Sequence, residues 1–307
     1  MKHSQLVKER GRKDFEKIKK GSALNRCKAF IENVSVEHSV SIIIVSNFFE
    51  FLVGFLSISF QEHSELPAMS FEELKNFDFG FDEERDSFLI AKNAFKIYSN
   101  DKEMRKYWFQ RYRLFSKLNY GILMDREGWF SVTPERIAMN IANRVVLKKD
   151  ALIVDAFAGV GGNSIQMALN GAYVIAIDLN PIRIRCAIQN AKVYGVADRI
   201  NFICVDFFHF SSNTPFDAVF LSPPWGGPSY LDTEVFDLNS DLTPNGFEIF
   251  SAAKMLSPNI AYFLPRHTSI KQLISLAGKG GSCEIEHSLL NKKIKSITAY
   301  YGDLVLK

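Results

Sequence analysis

Between residues 152 and 222 the chain lays down four short apolar runs, and each one stops at a polar residue followed by a turn or a helix-length stretch. Leu152-Ile153-Val154 stops at Asp155, Tyr173 to Ile177 at Asp178, Ile200 to Val205 at Asp206, and Asp217 to Leu221 at Ser222. Continuous apolar strands alternating with helical segments predict a parallel sheet, because parallel strands joined by crossover helices are covered on both faces. The fold class expected is α/β, a doubly wound and mostly parallel sheet. In such a sheet the carboxyl ends of the strands line one crevice, so the four polar residues would meet there. Any one of these residues reads as a capping or solvated residue; four in series at strand ends predict a ligand site.

The first run leads into Ala156-Phe157-Ala158-Gly159-Val160-Gly161-Gly162-Asn163 and then a helix, Ser164 to Asn170. Glycines in that turn let the backbone approach a ligand closely. Asp178 lies about twenty residues further on, where a carboxylate can grip a ribose diol. These features alone fit a dinucleotide fold equally well. Two others tilt the reading toward S-adenosylmethionine: the glycines do not spell GxGxxG, and the third strand delivers Asp206-Phe207, an acid and a ring suited to adenine's amino group and face. The loop with Asp155 suits the cationic methionine end.

The fourth strand delivers Ser222-Pro223-Pro224-Trp225-Gly226-Gly227-Pro228. Ser222 and the Pro223 carbonyl can accept hydrogen bonds from an exocyclic amine, the prolines fix the backbone, and Trp225 can stack on a ring. That predicts an N-methyltransferase acting on a base. Taken in isolation, the same residues read equally as a rigid turn packed on the core.

The 307 residues suffice for one large or two modest domains, and 47% hydrophobic with 23% charged is ordinary globular composition. A net charge of +3 is too small to establish a nucleic-acid partner. Its distribution says more: ten basic residues from Lys2 to Lys28 form an arm, either RNA-attracting or simply solvated. Val40 to Phe60 nearly reaches bilayer length. Asn47 and Glu50 near its middle, and the basic flank before it, disfavour a span. A buried helix or strand pair and a poorly ordered extension stay open beside it. Residues 61–95 are acidic and aromatic and read as linker or short helices. From Asn93 to Tyr120 the periodicity is helical, with Trp108, Tyr112 and Phe115 expected on one face among Lys106, Arg111, Arg113 and Lys117. Thr133 is expected to cap the next helix, with Pro134 in its first turn. Cys283 to Leu290 and Lys295 to Val305 read as a closing hairpin. Cys27, Cys186, Cys204 and Cys283 show neither CxxC pairing nor metal spacing, the six histidines are scattered, and no metal site is expected.

The segment from about Met104 to Leu306 resembles the methyltransferase domain of the trimethylguanosine synthase family, which methylates N2 of the 7-methylguanosine RNA cap. The resemblance is carried by Lys106-Tyr107-Trp108, by Arg111 to Phe115, by Asp125-Arg126-Glu127-Gly128-Trp129-Phe130-Ser131-Val132-Thr133-Pro134-Glu135 and by the glycine turn. Further along it is carried by Ser222 to Pro228, Gly246 to Phe250, Tyr262 to Arg266 and Ile297 to Tyr300. It implies a Rossmann-like class I S-adenosylmethionine-dependent methyltransferase with a C-terminal antiparallel hairpin, divided into an N-terminal extension (1–95), a helical cap-binding part (96–135) and a core (136–307). The donor would meet Thr133, Asp155, Phe157, Gly159, Asn163, Asp178, Asp206 and Phe207. Ser222, Pro223 and Trp225 would present the guanine, Lys106 and Arg266 would meet the cap phosphates, and Asn190 and Tyr230 would border the base. Ser229 stands where relatives often carry an acid, and Ala158 and Asn180 also depart from the commonest letters. The expected partners are capped snRNA and snoRNA, with ribonucleoprotein proteins as further candidates; the expected location is the nucleus, in nucleolus or Cajal body, with cytoplasm as an addition. Another RNA base or an amide as target, and an inactive cap-binding protein, are the competing readings.

Overall fold

A computed structural model describes residues 25, 43–45, 71–227, 230 and 233–306. Its described strands are β1 (Ile43–Val45), β2 (Leu152–Asp155), β3 (Tyr173–Asp178), β4 (Ile200–Cys204), β5 (Ala218–Leu221), β6 (Ile260–Pro265), β7 (Cys283–Leu290) and β8 (Lys293–Tyr301). They form one sheet in the order β1-β4-β3-β2-β5-β6-β8-β7. The five strands from β4 to β6 are parallel, β8 runs antiparallel to β6, and β7 runs antiparallel to β8. The order reverses between β2 and β5, which places a switch point at their carboxyl ends. This is the expected doubly wound, mostly parallel sheet with its terminal hairpin.

The helices are α1 (Phe71–Lys75), α2 (Ala94–Ile97), α3 (Lys102–Trp108), α4 (Arg111–Leu114), α5 (Arg126–Ser131), α6 (Glu135–Val145), α7 (Gly162–Leu169), α8 (Pro181–Tyr194), α9 (Gly246–Leu256) and α10 (Ile270–Leu276). Strand side chains alternate between faces, and both faces are covered. Ile153, Val174 and Phe202 pack under α6 and α8 with Ile137, Ile141, Ile184 and Ile188. Leu152, Val154, Ile175 and Val219 pack on the other side with Ile249 and Phe250 of α9 and Leu273 of α10. Local signals agree with these bounds. Asn180 caps α8 by accepting from the amides of Ile182 and Arg183, Pro181 fills its first turn, and Gly195 at φ 75° ends it. The β7–β8 turn is Asn291-Lys292, both at positive φ (52° and 61°), as a two-residue hairpin of type I′ requires.

The structure corrects or completes three expectations. The helical stretch from Asn93 to Tyr120 is broken into short pieces, so Trp108, Tyr112 and Phe115 do not share a face. Phe115 is buried, Trp108 half-buried, and Tyr112 is 50% exposed with the Arg111 guanidinium between it and the Trp108 ring. Secondly, three residues of the apolar Val40–Phe60 segment are strand β1, paired antiparallel with β4 as Ile43 with Cys204 and Val45 with Phe202. The rest of that segment, like the basic arm apart from Asn25, lies outside the described residues. Among those described, no helix is long and apolar enough to cross a membrane.

The third concerns the boundary expected at residue 95, which is not where packing changes. Leu89, Ile90 and Ala91 are buried in the same core as Trp129 and Ile137, and Ile90 bridges to Leu123. An ion cluster fixes this stretch to α8. Arg185 Nη1 donates to Asp86 Oδ1 at 2.7 Å, its Nε donates to the Asp78 carbonyl at 2.9 Å, and its guanidinium lies 4.3 Å from the Phe77 ring. Arg85 holds the other Asp86 oxygen at 2.8 Å. Burial pushes the Asp86 carboxyl up, but the two arginines and the Asp82 backbone outweigh it and bring it from 3.8 to about 2. Asp86, one of the acids that made this stretch read as a linker, is therefore buried against an arginine of α8.

Removing one member of such a pair leaves a buried charge uncompensated, which costs about 3–5 kcal/mol. Asp86→Asn is expected to lose stability of that size in urea unfolding, with the wild-type contribution full above pH 3.8 and lost as pH falls through about 2. A loss under about 0.5 kcal/mol, the range of an ordinary surface substitution, would show that the clasp does not hold the stretch in place.

Candidate active site

The carboxyl ends of β2, β3, β4, β5 and β6 deliver, in turn, Asp155, Asp178, the Asp206-Phe207 pair, Ser222 and Arg266. Asp155 has no solvent exposure. Its Oδ2 accepts from the Ser164 hydroxyl at 2.6 Å, while Oδ1 has no partner. Burial pushes its carboxyl from 3.8 up to about 7, only partly offset by that hydroxyl and the Phe157 amide. Asp178 is buried at 9% exposure; its Oδ2 accepts from the Gly159 amide and its Oδ1 from the Asn180 amide, both at 2.8 Å. Burial raises it too, against the pull of Arg183 and those two amides. Between these acids Gly159 sits at φ 54°, and a Cβ placed on it would meet nothing within 4 Å, so its open side faces unfilled space. Gly161, at φ 89°, is needed for the opposite reason: a Cβ there would come within 3.2 Å of the Ala187 backbone on α8.

Thr133 and Asn163 meet in this crevice through a side-chain hydrogen bond at 3.0 Å, the Asn163 amide donating to the Thr133 hydroxyl. Thr133 therefore does not cap α6 as expected. Pro134 holds the cap position, its carbonyl accepting from Ile137 and Ala138, and the threonine side chain is free to turn inward. Asn163 Oδ1, like Asp155 Oδ1, is buried without a partner. Phe207 lies 5.6 Å from Phe157, ring to ring, and Asp206 accepts from the Phe208 amide at 2.9 Å.

On the acceptor side the Ser222 hydroxyl donates to the Phe157 carbonyl at 3.3 Å, which ties the proline loop to the glycine turn across the switch point. Pro223 is buried behind it. Trp225 is half-buried at the rim, in contact with the cores on both sides of the sheet. Its ring lies 5.2 Å from Phe263 and 5.2 Å from Tyr230, which meets it edge-on at 81°. Burial raises the Tyr230 hydroxyl, with the Tyr107 phenol adding to the rise and Arg266 opposing it, so α3, this loop and the end of β6 converge on one place. Lys106, next to Tyr107, is exposed and 3.7 Å from Glu103. Arg266 is exposed and makes no ion pair among the described residues.

Asn190 does not border a base. It is fully buried, its Oδ1 accepts from the Leu123 amide at 2.7 Å, and its Nδ2 donates to the carbonyls of Leu123 and Val160 at 2.9 Å each. A side chain with its bonding capacity committed inside has none to offer a ligand; Asn190 braces the glycine turn instead. Two residues given no role from the sequence join the site. The Tyr107 phenol raises the Tyr230 hydroxyl, and His267 stacks on Tyr230 at 6.0 Å with its Nε2 3.1 Å from both the Tyr230 carbonyl and the Thr233 hydroxyl. The one signal for His267 was its position directly after Arg266 at a strand end.

The model of the RNA cap guanine-N2 methyltransferase family matches residues 150–304, the span that contains this crevice from β2 to β8. The chain belongs to that family. Among its relatives is the trimethylguanosine synthase of Schizosaccharomyces pombe, 41% identical over 209 residues that cover 66% of this chain and 87% of that protein. Another is the trimethylguanosine synthase of Saccharomyces cerevisiae, 38% identical over 232 residues, 70% of this chain and 74% of the other. A solved structure from Porphyromonas gingivalis W83, described as a methyltransferase, shares the fold at a TM-score of 0.50 and 13% identity, covering 74% of this chain and 60% of that one.

A cap guanine-N2 methyltransferase uses S-adenosylmethionine, and the crevice fits it. Two buried acceptor oxygens without partners, on Asp155 and Asn163, suit a donor with a protonated amine, and the vacancy over Gly159 gives room for it beside the Asp178 carboxylate. An amine cation beside Asp155 favours its carboxylate, so binding must expel the proton that burial retains below about pH 7. Donor affinity is expected to rise up to tenfold per pH unit below 7, with close to one proton released at pH 6, read by titration calorimetry in buffers of different ionisation heat. Asp155→Asn should abolish the release, and a wild-type heat independent of buffer would contradict this role. In the ligand-free protein the same shift lowers stability as pH rises from 3.8 toward 7, because the folded state still holds a proton that the unfolded chain has lost.

Proposed function

We propose that this chain methylates N2 of the 7-methylguanosine cap to give 2,2,7-trimethylguanosine, with capped snRNA and snoRNA as substrates and the nucleus as its place of action. The observation that carries the reading is the half-buried Trp225 ring at the carboxyl end of β5, braced by Phe263 and Tyr230 and three residues from Ser222. A 7-methylated guanine is cationic, and a cation over an indole face gains about 0.5–2 kcal/mol beyond ordinary stacking. A neutral base or an amide has no such term, so this wall favours the premethylated cap.

S-adenosylmethionine, when bound, supplies a methyl group already activated for in-line displacement. What remains for the protein is orientation, holding the acceptor nitrogen about 3–3.5 Å from the carbon it attacks. The N2 lone pair of guanine is delocalised into the ring. Ser222 Oγ and the Pro223 carbonyl, accepting from the two N2 hydrogens, favour the pyramidal form with the lone pair exposed. The Ser222–Phe157 bond keeps that ledge in register with the donor crevice. One N2 proton leaves with each methyl gained. Arg266, whose charge acts on the Tyr230 hydroxyl, and Lys106, over the Tyr107 ring, suit the cap triphosphate, Arg266 as the bidentate partner and Lys106 as a point charge.

The test is the mass of the product formed from the dinucleotide m7GpppG, run beside unmethylated GpppG. The expected product carries two added methyl groups on m7GpppG, with kcat/KM on GpppG at least tenfold lower. Equal turnover of the two caps would remove the cation–π argument and the cap assignment with it. Sequencing of RNA crosslinked to the protein in nuclear and cytoplasmic fractions tests the choice of RNAs and the location.

A further inference from the structure

The β7–β8 hairpin projects past the end of β6. The last paired position between β6 and β8 is Pro265 with Ser296, so the residues from Leu289 to Lys295 extend beyond β6 on the side where the crevice opens. A register shift between Ser288 and Leu289 re-aims the tip where it leaves the sheet. The tip carries Lys292, Lys293 and Lys295 and not one acid between Ser288 and Ser296. All three lysines are exposed, and among the described residues none makes an ion pair. Lys295 directly precedes, and Arg266 directly follows, the Pro265–Ser296 pair.

The tip is also anchored to the helical part of the chain. With its amide turned to satisfy both groups, Asn291 Oδ1 accepts from Arg113 Nη1 and Nη2 of α4 at 3.1 and 3.2 Å. A neutral amide orders that guanidinium without cancelling its charge. Arg113, the three tip lysines and Arg266 thus line a cationic rim from the helical part to the end of β6, beginning beside the proposed triphosphate site. A stable fold does not require a row of unpaired like charges, since they repel one another; a polyanion lying along them removes that repulsion.

We infer that this rim is a landing surface for the phosphates of the RNA chain downstream of the cap. The proposal rests on the cap reading above and adds a second part of the substrate to it: the wall at Trp225 takes the cap, and the hairpin takes the backbone that follows. Recognition through phosphates is independent of sequence and falls with salt, because each neutralised phosphate of a single strand releases about 0.7 counterion.

The experiment compares wild type with Lys292→Gln/Lys293→Gln/Lys295→Gln on two substrates, m7GpppG and an m7G-capped oligoribonucleotide about ten nucleotides long, the length of a single-strand binding site. The expected result is an unchanged KM for m7GpppG, a KM for the capped oligonucleotide raised tenfold or more at low salt, and restoration by arginine at the same three positions. Fluorescence anisotropy with the same oligonucleotide, uncapped, should show the slope of log Kd against log salt reduced by about 2, three phosphates at ~0.7 each. Equal KM changes on both substrates, or an unchanged slope, would overturn the rim as an RNA surface. Loss of wild-type turnover on every capped substrate would instead count against the cap reading, and the anisotropy measurement would still decide the role of the hairpin.

Discussion

The strand order reverses between β2 and β5, and nearly everything proposed for this protein follows from that adjacency. A parallel sheet gathers all its carboxyl ends on one side, and at the reversal the two following segments turn away from each other and leave a gap. The glycine turn after β2 lines one side of the gap and the Ser-Pro-Pro-Trp loop after β5 the other. The hydrogen bond from Ser222 to the Phe157 carbonyl joins them. Donor and acceptor are then held by loops fixed to adjacent strands, the kind of rigid placement that positional catalysis needs.

Charge is distributed along this crevice in an ordered way. Its floor holds two buried carboxyl groups, both raised by burial, and one of them keeps an oxygen without a partner. Such groups weaken the empty protein and suit a cationic ligand that restores what burial removed. Its rim is cationic, with Arg266 at the end of β6 and lysines on the hairpin beyond. An acidic floor and a basic rim match a positively charged methyl donor inside and a polyphosphate chain outside. Trp225 stands at the junction, where a cationic guanine would pass from one to the other.

The parts legible in the sequence were those governed by local rules. Apolar runs ending in Asp155, Asp178 and Ser222 fixed the strands, their order of use and the crevice, because strand burial and turn chemistry are written residue by residue. The hairpin and the cap of α8 at Asn180 have the same character. What could not be read depends on partners far away in the chain. Asn190 is a motif residue whose bonds go to Leu123 and Val160, and spacing does not reveal that its amide is spent inside. Asp86 looked solvated because its arginine partner Arg185 comes about a hundred residues later. Thr133 had the identity of a cap, but the following proline took that position and freed the hydroxyl for Asn163. Helical periodicity at Trp108, Tyr112 and Phe115 was real in spacing, and the chain nevertheless breaks between Trp108 and Arg111.

The most direct test of the central claim is a crystal structure of this protein with S-adenosylhomocysteine and m7GpppG bound together. The account predicts the 7-methylguanine ring about 3.5 Å from the Trp225 indole, parallel to it, with N2 at hydrogen-bond distance from Ser222 and pointing at the donor sulfur. A cap bound away from Trp225, or a guanine whose N2 faces away from the donor crevice, would contradict it.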